Sequence, residues 1–85
     1  MSRATEVYAR EFDSLFFKLP PQVREAIESK IHQLGSRLGG YPHQRLTGRL
    51  EYRLRIGDYR VIYEFNRERN ILYLLAVGNR RDIYR

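Results

Sequence analysis

The segment Tyr52–Arg60 (Tyr-Arg-Leu-Arg-Ile-Gly-Asp-Tyr-Arg) constrains the fold of this chain more than any other stretch. Apolar and basic residues alternate on both sides of Gly57-Asp58, and successive side chains of a β-strand point to opposite faces of the sheet. Glycine at the first position of a two-residue turn favours a type II′ hairpin. The segment therefore predicts two short antiparallel strands with one apolar face and one basic face.

The same turn predicts the register of these strands. One face pairs only apolar or aromatic residues: Ile56 with Tyr59, Leu54 with Val61, Tyr52 with Tyr63, and Leu50 with Phe65. The other face pairs Arg55 with Arg60, Arg53 with Ile62, and Glu51 with Glu64. A slip of one residue would mix the two faces, which favours this register. Like charges directly opposite each other are unfavourable, so the three arginines require either an anionic partner or solvation beside a nearby glutamate.

Length and composition limit the rest of the fold. Eighty-five residues suffice for one small domain with a modest core. We expect this domain to span residues 1–85. The chain has no cysteine, which excludes disulfides and cysteine-bound zinc and fits a reducing compartment. We see neither a run of apolar residues that could span a membrane nor the apolar core of a signal peptide. We therefore expect a cytoplasmic protein with no membrane partner.

The charge of the chain is strongly basic. The net charge is +6, and all sixteen basic residues except Lys18 and Lys30 are arginines. Arginine forks bind phosphate or carboxylate groups and stack on flat rings. The charge therefore favours a nucleic acid or an acidic protein as partner, without choosing between them, and it is also compatible with no specific partner.

Two helices are predicted before the hairpin. We expect a strand near residues 3–8 and a helix near 9–18, although residues 6–8 fit the start of a longer helix as well. The buried stripe of this helix consists of Phe12, Leu15, Phe16 and Leu19. Pro20-Pro21 ends the first helix and begins the second, which runs from about Pro21 to Leu34 or Leu38. Its apolar face contains Val23, Ile27, Ile31, Leu34 and Leu38.

One strand is predicted after the hairpin, since Ile71–Val77 is a nearly continuous apolar run of the kind that is covered on both faces. If Asn66–Asn70 forms a five-residue loop, the pairs are Phe65 with Ile71, Tyr63 with Tyr73, Val61 with Leu75, and Tyr59 with Val77. Ala76 would then lie beside Arg60 and leave space there.

The predicted fold class is α+β, in the order β-α-α-β-β-β. A helical hairpin packs on one face of a curved, mainly antiparallel four-stranded sheet. The opposite face is expected to be a basic concavity formed by Arg53, Arg55, Arg60 and Arg80, with Tyr84 near its rim.

The sequence contains no familiar metal or cofactor motif. His32 and His43 are the only histidines, and they are not spaced as a pair of metal ligands. His43 is predicted to be exposed in a loop that runs to about Gly48. Phosphate-binding GxxxxGK[ST], GxSxG and cysteine nucleophiles are also missing from the sequence. We therefore expect neither a metal nor a cofactor.

Three stretches of the chain resemble the RelE/ParE toxin superfamily: Leu46–Gly48, Tyr52–Tyr63 and Val77–Tyr84. Leu19–Arg24 is similar to the junction of that family's helical hairpin. The resemblance covers nearly the whole chain and is weak only before Phe12. It implies a RelE-like fold and a toxin of a type II toxin–antitoxin system. RelE-type members cleave mRNA in the ribosomal A site without a metal, by attack of a ribose 2′-OH on the adjacent phosphate.

The resemblance also implies which residues act. The catalytic candidates are Arg53 and Arg55, which replace two lysines of the family, together with Arg60, Arg80 and Tyr84. The candidates for RNA contact are Arg45, Arg49, Arg53, Arg55 and Arg81. Arginine stays protonated and is a poor general base. That role is left to Tyr84, with Glu51 or Glu64 as more distant candidates.

Three functions remain open at the level of sequence. The first is a ribosome-dependent endoribonuclease, whose partners are the ribosome, mRNA and a cognate antitoxin with an acidic, partly disordered segment. The second is a ParE-like inhibitor of DNA gyrase, which the basic and tyrosine set disfavours. The third is an inactive module that binds RNA or the antitoxin.

Overall fold

A computed structural model describes residues 3–83 and forms one five-stranded sheet with two helices. The elements in chain order are β1 (Thr5–Tyr8), α1 (Arg10–Phe16), α2 (Pro21–Ser36), β2 (Gln44–Arg45), β3 (Tyr52–Ile56), β4 (Tyr59–Asn66) and β5 (Ile71–Asn79). The sheet has the order β1-β5-β4-β3-β2, in which β1 is parallel to β5 and all other neighbours are antiparallel. The predicted α+β class and RelE-like architecture are confirmed. The strand count is five rather than four, because Gln44 and Arg45 pair with β3 inside the predicted loop.

The two helices cover one face of the sheet and form the core with it. Phe12 and Phe16 of α1 are buried, and α2 contributes Ile27, Ile31 and Leu34 from one face. The sheet contributes Leu54, Val61, Tyr63, Leu72, Leu74 and Val77, and the last five of these are fully buried. α2 begins with Pro21, which lacks the amide hydrogen that the first turn of a helix leaves unpaired. We call the opposite side of the sheet, which neither α1 nor α2 covers, the open face.

The register of the β3–β4 hairpin is confirmed from its turn to Tyr52. Ile56 pairs with Tyr59, Arg55 with Arg60, Leu54 with Val61, Arg53 with Ile62, and Tyr52 with Tyr63. Gly57 has a φ of 57°, which glycine adopts without steric cost. The pairing does not extend to Leu50 and Phe65 or to Glu51 and Glu64, because β3 begins at Tyr52 and Leu50 is 72% exposed.

The predicted register of β4 and β5 is wrong. The turn between them has four residues, so Asn66 pairs with Ile71, Phe65 with Leu72, and Tyr63 with Leu74. A β-bulge between Ile62 and Tyr63 then leaves Leu75 as an extra residue, and Val61 pairs with Val77. The shift turns Leu72 and Leu74 toward the helices and places Tyr73 on the open face. The space beside Arg60 comes from Gly78, which pairs with it, whereas Ala76 pairs with Ile62.

Candidate active site

The β3–β4 hairpin brings three arginines together on the open face. Arg55 and Arg60 are directly opposite each other, and Arg53 lies one pair further along, opposite Ile62. Directly paired residues of an antiparallel sheet share a face, with Cβ atoms about 4.5–5.5 Å apart. The sequence prediction of an arginine cluster at the hairpin is therefore confirmed for these three residues.

Arg60 is the best-fixed member of the cluster and is only 6% exposed. Its Nη1 donates hydrogen bonds to the carbonyl oxygens of Gly57 and Tyr59, both at 2.8 Å. No carboxylate of residues 3–83 lies within ion-pair distance of its guanidinium. A guanidinium stays charged in proteins, and burying an unpaired charge is costly. The arrangement holds a rigid cation on the open face without neutralising it.

Arg53 and Arg55 are held less tightly than Arg60. The Nε of Arg53 donates to the side-chain oxygen of Gln44 at 3.3 Å, and Arg55 is exposed. Neither side chain forms an ion pair with any residue of the described part of the chain. Their terminal nitrogens are therefore available to an anion.

The chain that follows β5 folds back toward the hairpin. The backbone amide of Arg80 donates to the carbonyl of Asp58 at 2.8 Å, and the Arg80 Nε lies 3.9 Å from Asp58 Oδ1. Asn79 closes the next turn by accepting from the amide of Arg81 through its side chain and from the amide of Ile83 through its carbonyl. Arg80 is thus fixed beside the hairpin turn, and Arg81 is exposed next to it.

Ile83 returns this segment to the open face. Its Cδ1 lies 3.5 Å from the position that a Cβ on Gly78 would occupy, and Gly78 is the strand neighbour of Arg60. The chain therefore passes next to the arginine cluster just before residue 84. Tyr84, the predicted catalytic tyrosine, lies outside the described residues.

Two of the candidates for RNA contact lie away from the arginine cluster. Arg45 pairs with Tyr52, whose register partner Tyr63 faces the helices, so Arg45 belongs to the helix-facing side. Its Nη2 donates to the Tyr52 hydroxyl at 2.7 Å, and its guanidinium carbon lies 5.0 Å from the ring centroid. Arg49 donates from Nε to Glu51 at 2.7 Å. Their roles remain predictions, but neither arginine shares the surface of Arg60.

The prediction that His43 is exposed is wrong. His43 is half-buried, its ring stacks on Phe65 with centroids 4.1 Å apart, and both ring nitrogens have partners. Nε2 lies 2.8 Å from the carbonyl of Leu38, which can only accept, so Nε2 donates. In the neutral ring, Nδ1 then accepts a hydrogen bond from the Tyr63 hydroxyl, which lies 2.6 Å away. Burial raises the pKa of Tyr63 well above its usual range, which keeps that hydroxyl protonated.

Little in the sequence signals this role of His43. Tyr41 is the only one of its aromatic contacts that is near it in sequence, and the contacts with Tyr52, Tyr63 and Phe65 are made only in the folded sheet. The histidine fixes the loop that leads into β2, next to Arg53. It is thus a structural residue that supports one side of the site.

Within residues 3–83, no three His, Cys, Asp or Glu side chains are grouped so that they could hold a metal ion. None of the helices described is long and apolar enough to cross a membrane.

The chain matches a known protein family over nearly its whole length. The family model described as the ParE toxin of the type II toxin–antitoxin system parDE matches residues 2–84. The chain belongs to the ParE/RelE toxin family. It is therefore a toxin of a type II toxin–antitoxin system. No curated protein matches the sequence.

Solved structures similar to this toxin come from bacteria and archaea. The toxin–antitoxin complex RelBE2 of Mycobacterium tuberculosis matches with a TM-score of 0.78 and 22% identity, covering 96% of this chain and 97% of that one. The isolated E. coli RelE toxin matches with a TM-score of 0.76 and 17% identity, covering 89% and 83%. The RelE–RelB complex of Pyrococcus horikoshii gives 0.75 and 22%, covering 95% and 99%. At these identities the likeness establishes the RelE-like fold.

Proposed function

We propose that this toxin is a ribosome-dependent endoribonuclease that cleaves mRNA in the A site and thereby inhibits translation. Residues 1–85 would form one toxin domain that acts in the cytoplasm without a metal or cofactor. Its partners would be mRNA, the ribosome and a cognate antitoxin.

The proposal rests mainly on the environment of the Arg60 guanidinium. It is buried and fixed by two backbone carbonyls, yet no carboxylate of residues 3–83 neutralises it. Arg55 lies opposite it, although two like charges repel each other. An anionic ligand between the two guanidinium groups would pair the buried charge of Arg60 and relieve its repulsion with Arg55. A phosphodiester suits this role because its oxygens match the arginine fork.

The proposed reaction needs charge stabilisation more than covalent chemistry from the protein. The ribose 2′-oxygen attacks the adjacent phosphorus, the bond from phosphorus to the 5′-oxygen breaks, and the products are a 2′,3′-cyclic phosphate and a 5′-hydroxyl. Arg60 and Arg55 would stabilise the negative charge that develops on the phosphoryl oxygens. Arg53 would hold the neighbouring part of the RNA backbone.

Two further residues would complete the reaction. Arg80, fixed beside the hairpin turn by Asp58, would lie by the leaving oxygen. Tyr84 would orient the 2′-OH or stack on a base. Because arginines are poor bases, the proton of the 2′-OH would leave through Tyr84 or through a group of the ribosome or RNA. The same group or a water molecule would return a proton to the leaving 5′-oxygen, which gives the 5′-hydroxyl. Glu51 is a weaker candidate, since it accepts a hydrogen bond from Arg49.

The distribution of charge supports RNA and antitoxin as partners. Residues 3–36 carry five basic and five acidic side chains, whereas residues 37–83 carry ten basic and five acidic ones. The excess positive charge thus belongs to the part of the chain that builds the loop, β2–β5 and the arginine cluster. It would attract mRNA, and an acidic antitoxin segment could cover the same surface and inhibit the toxin.

A second candidate function is inhibition of DNA gyrase without RNA cleavage. It is favoured by the family model, which carries the ParE description. Gyrase inhibition, however, does not explain why the buried Arg60 lies opposite Arg55 without a carboxylate partner among residues 3–83.

One experiment decides between the two candidates. The toxin is induced in cells, the 5′ ends of mRNA on translating ribosomes are mapped, and plasmid supercoiling is measured in the same culture. New ends within codons, with normal supercoiling, are expected. Loss of supercoiling without new mRNA ends would select gyrase inhibition and refute the proposed ribonuclease.

A further inference from the structure

A cavity of about 250 Å³ lies at the edge of β3, next to the arginine cluster. Its lining residues are Tyr41, Pro42, Gln44, Arg53, Leu54 and Arg55. We refer to it as the β3-edge cavity. It rests on the sheet where β2 ends, and two of its lining residues are arginines of the proposed active site.

The β3-edge cavity exists because β2 is very short. β2 pairs only with Tyr52 and Arg53, so the edge of β3 from Leu54 onward has no strand partner. The chain that precedes β2 is held at His43, whose two ring nitrogens contact the Tyr63 hydroxyl and the carbonyl of Leu38. Pro42, which has no amide hydrogen, cannot add another ladder bond. The cavity therefore results from the short β2 and from the way the preceding loop is fixed.

The side chains around the cavity have unused hydrogen-bonding capacity. The oxygen of the Gln44 side chain accepts from Arg53 Nε at 3.3 Å, which leaves its amide nitrogen without a partner among residues 3–83. The terminal nitrogens of Arg53 and Arg55 are free of carboxylates in that same part of the chain. Tyr41 contributes a half-buried aromatic wall.

We propose that the β3-edge cavity is a subsite for one nucleotide of single-stranded RNA, next to the phosphate held by Arg55 and Arg60. Arg53 and Arg55 contact its phosphate, the base lies against Tyr41 and Pro42, and the Gln44 amide donates to an acceptor on the base edge. Single-stranded RNA is commonly recognised in this way, by stacking and by hydrogen bonds to exposed base edges. The identity of the ligand rests on the proposed ribonuclease function. The subsite would add to that function a preference for one base at this position.

The alternative occupant is an extended acidic peptide that adds a strand to β3. The structure favours the nucleotide for two reasons. Only Leu54 to Ile56 are unpaired on this edge, which is a short segment for strand addition, and strands usually have about five or six residues. A cavity of this volume suits one flat ring system better than a peptide chain, which needs a longer groove.

The test is an NMR titration of the full-length toxin with each of the four 5′-nucleoside monophosphates. Nucleotide binding is expected to shift the side-chain amide of Gln44 and the backbone amides of Leu54 and Arg55. Gln44→Ala should weaken binding of the preferred nucleotide roughly three- to tenfold, as expected for one hydrogen bond. The matched control Gln22→Ala changes an exposed glutamine at the start of α2 and should leave the affinity unchanged.

Three results would overturn the subsite. One is an equal affinity of Gln44→Ala and wild type for all four nucleotides. Another is inorganic phosphate producing the same shifts at the same concentration, which would leave only a phosphate site. The third is an acidic extended peptide shifting these resonances while the nucleotides do not.

Cleavage mapping separates this inference from the proposed function. If the wild type cleaves mRNA on ribosomes, Gln44→Ala should redistribute the cut sites among codons while Gln22→Ala does not, and an unchanged distribution would refute the subsite. If the wild type produces no cleavage, the ribonuclease proposal fails, and the titration alone still decides whether the cavity binds a nucleotide.

Discussion

Arg55 and Arg60 face each other across the β3–β4 hairpin, and neither guanidinium has a carboxylate partner among residues 3–83. The two differ in how they are held, since Arg60 is buried and bonded to two carbonyls whereas Arg55 is exposed. Two like charges directly opposite each other are unfavourable in the free protein. An anion bound between them would remove this repulsion, which is why we propose the pair as a phosphate site.

Arg55→Ala is expected to leave the free energy of unfolding unchanged or to raise it by up to about 1 kcal/mol, because it removes a like charge opposite Arg60. Urea unfolding of both proteins measures the difference. Arg69→Ala, an exposed arginine in the turn after β4, serves as the control for loss of one positive charge. A loss of stability greater than about 1 kcal/mol in Arg55→Ala alone would show that Arg55 makes a stabilising contact.

Sequence reasoning succeeded where the signal was local. The alternation on both sides of Gly57 fixes one register for β3 and β4, because a slip would exchange their faces. The run Ile71–Val77 has no such alternation, so it is compatible with either register and with the bulge that leaves Leu75 unpaired. The five-residue loop was therefore predicted wrongly, and Tyr73 was placed on the wrong face.

Other features depended on tertiary contacts. β2 has two residues, too few for a periodic pattern, and it forms because β3 offers an edge. His43 is half-buried because the hydroxyl of Tyr63, 20 residues away in sequence, and the carbonyl of Leu38, 5 residues away, both contact its ring. At the site, the grouping of Arg53, Arg55 and Arg60 was predictable from the hairpin. The burial of Arg60 and the position of Arg45 on the helix-facing side were not.

The hydrogen bond between His43 and Tyr63 should stabilise the loop that borders the arginine cluster. His43→Ala is expected to lower the free energy of unfolding by about 2–3 kcal/mol, since it removes two hydrogen bonds and a stacked ring. Tyr63→Phe should lower it by about 1 kcal/mol. A double-mutant cycle with urea unfolding gives the coupling between them, expected to be about 1 kcal/mol.

His32→Ala is the matched control for this cycle. His32 contacts Glu6 at 2.6 Å, but its side chain is 40% exposed, so the loss should be at most about 1 kcal/mol. Equal losses for the two histidines, or no coupling between His43 and Tyr63, would contradict the buried role of His43.

The stability of the toxin should fall in alkaline solution. Burial, and for Tyr8 also the hydrogen bond to Glu6, raises the pKa values of Tyr8 and Tyr63 above the ordinary value near 10. Above about pH 10 both hydroxyls ionise in the unfolded chain before they do in the folded one, so the unfolded state gains relative stability. Below that pH both states are protonated and the tyrosines add no pH dependence.

Two measurements check this pH dependence. Ultraviolet titration of tyrosinate should show a late-ionising component that includes Tyr8 and Tyr63, and Tyr63→Phe should reduce that component by one tyrosine. Urea unfolding should show decreasing stability as the pH rises above about 10. Simultaneous ionisation of all tyrosines in the folded protein would refute the assignment.

We propose that Arg60 acts on the scissile phosphate, and the rate of mRNA cleavage on purified ribosomes by Arg60→Ala tests this role. Circular dichroism must first show that the variant is folded, because Arg60 also bonds the carbonyls of Gly57 and Tyr59. Folded Arg60→Ala is expected to cleave at least about 100-fold more slowly than wild type, while Arg69→Ala should cleave at the wild-type rate. Folded Arg60→Ala that cleaves as fast as the wild type would contradict this role.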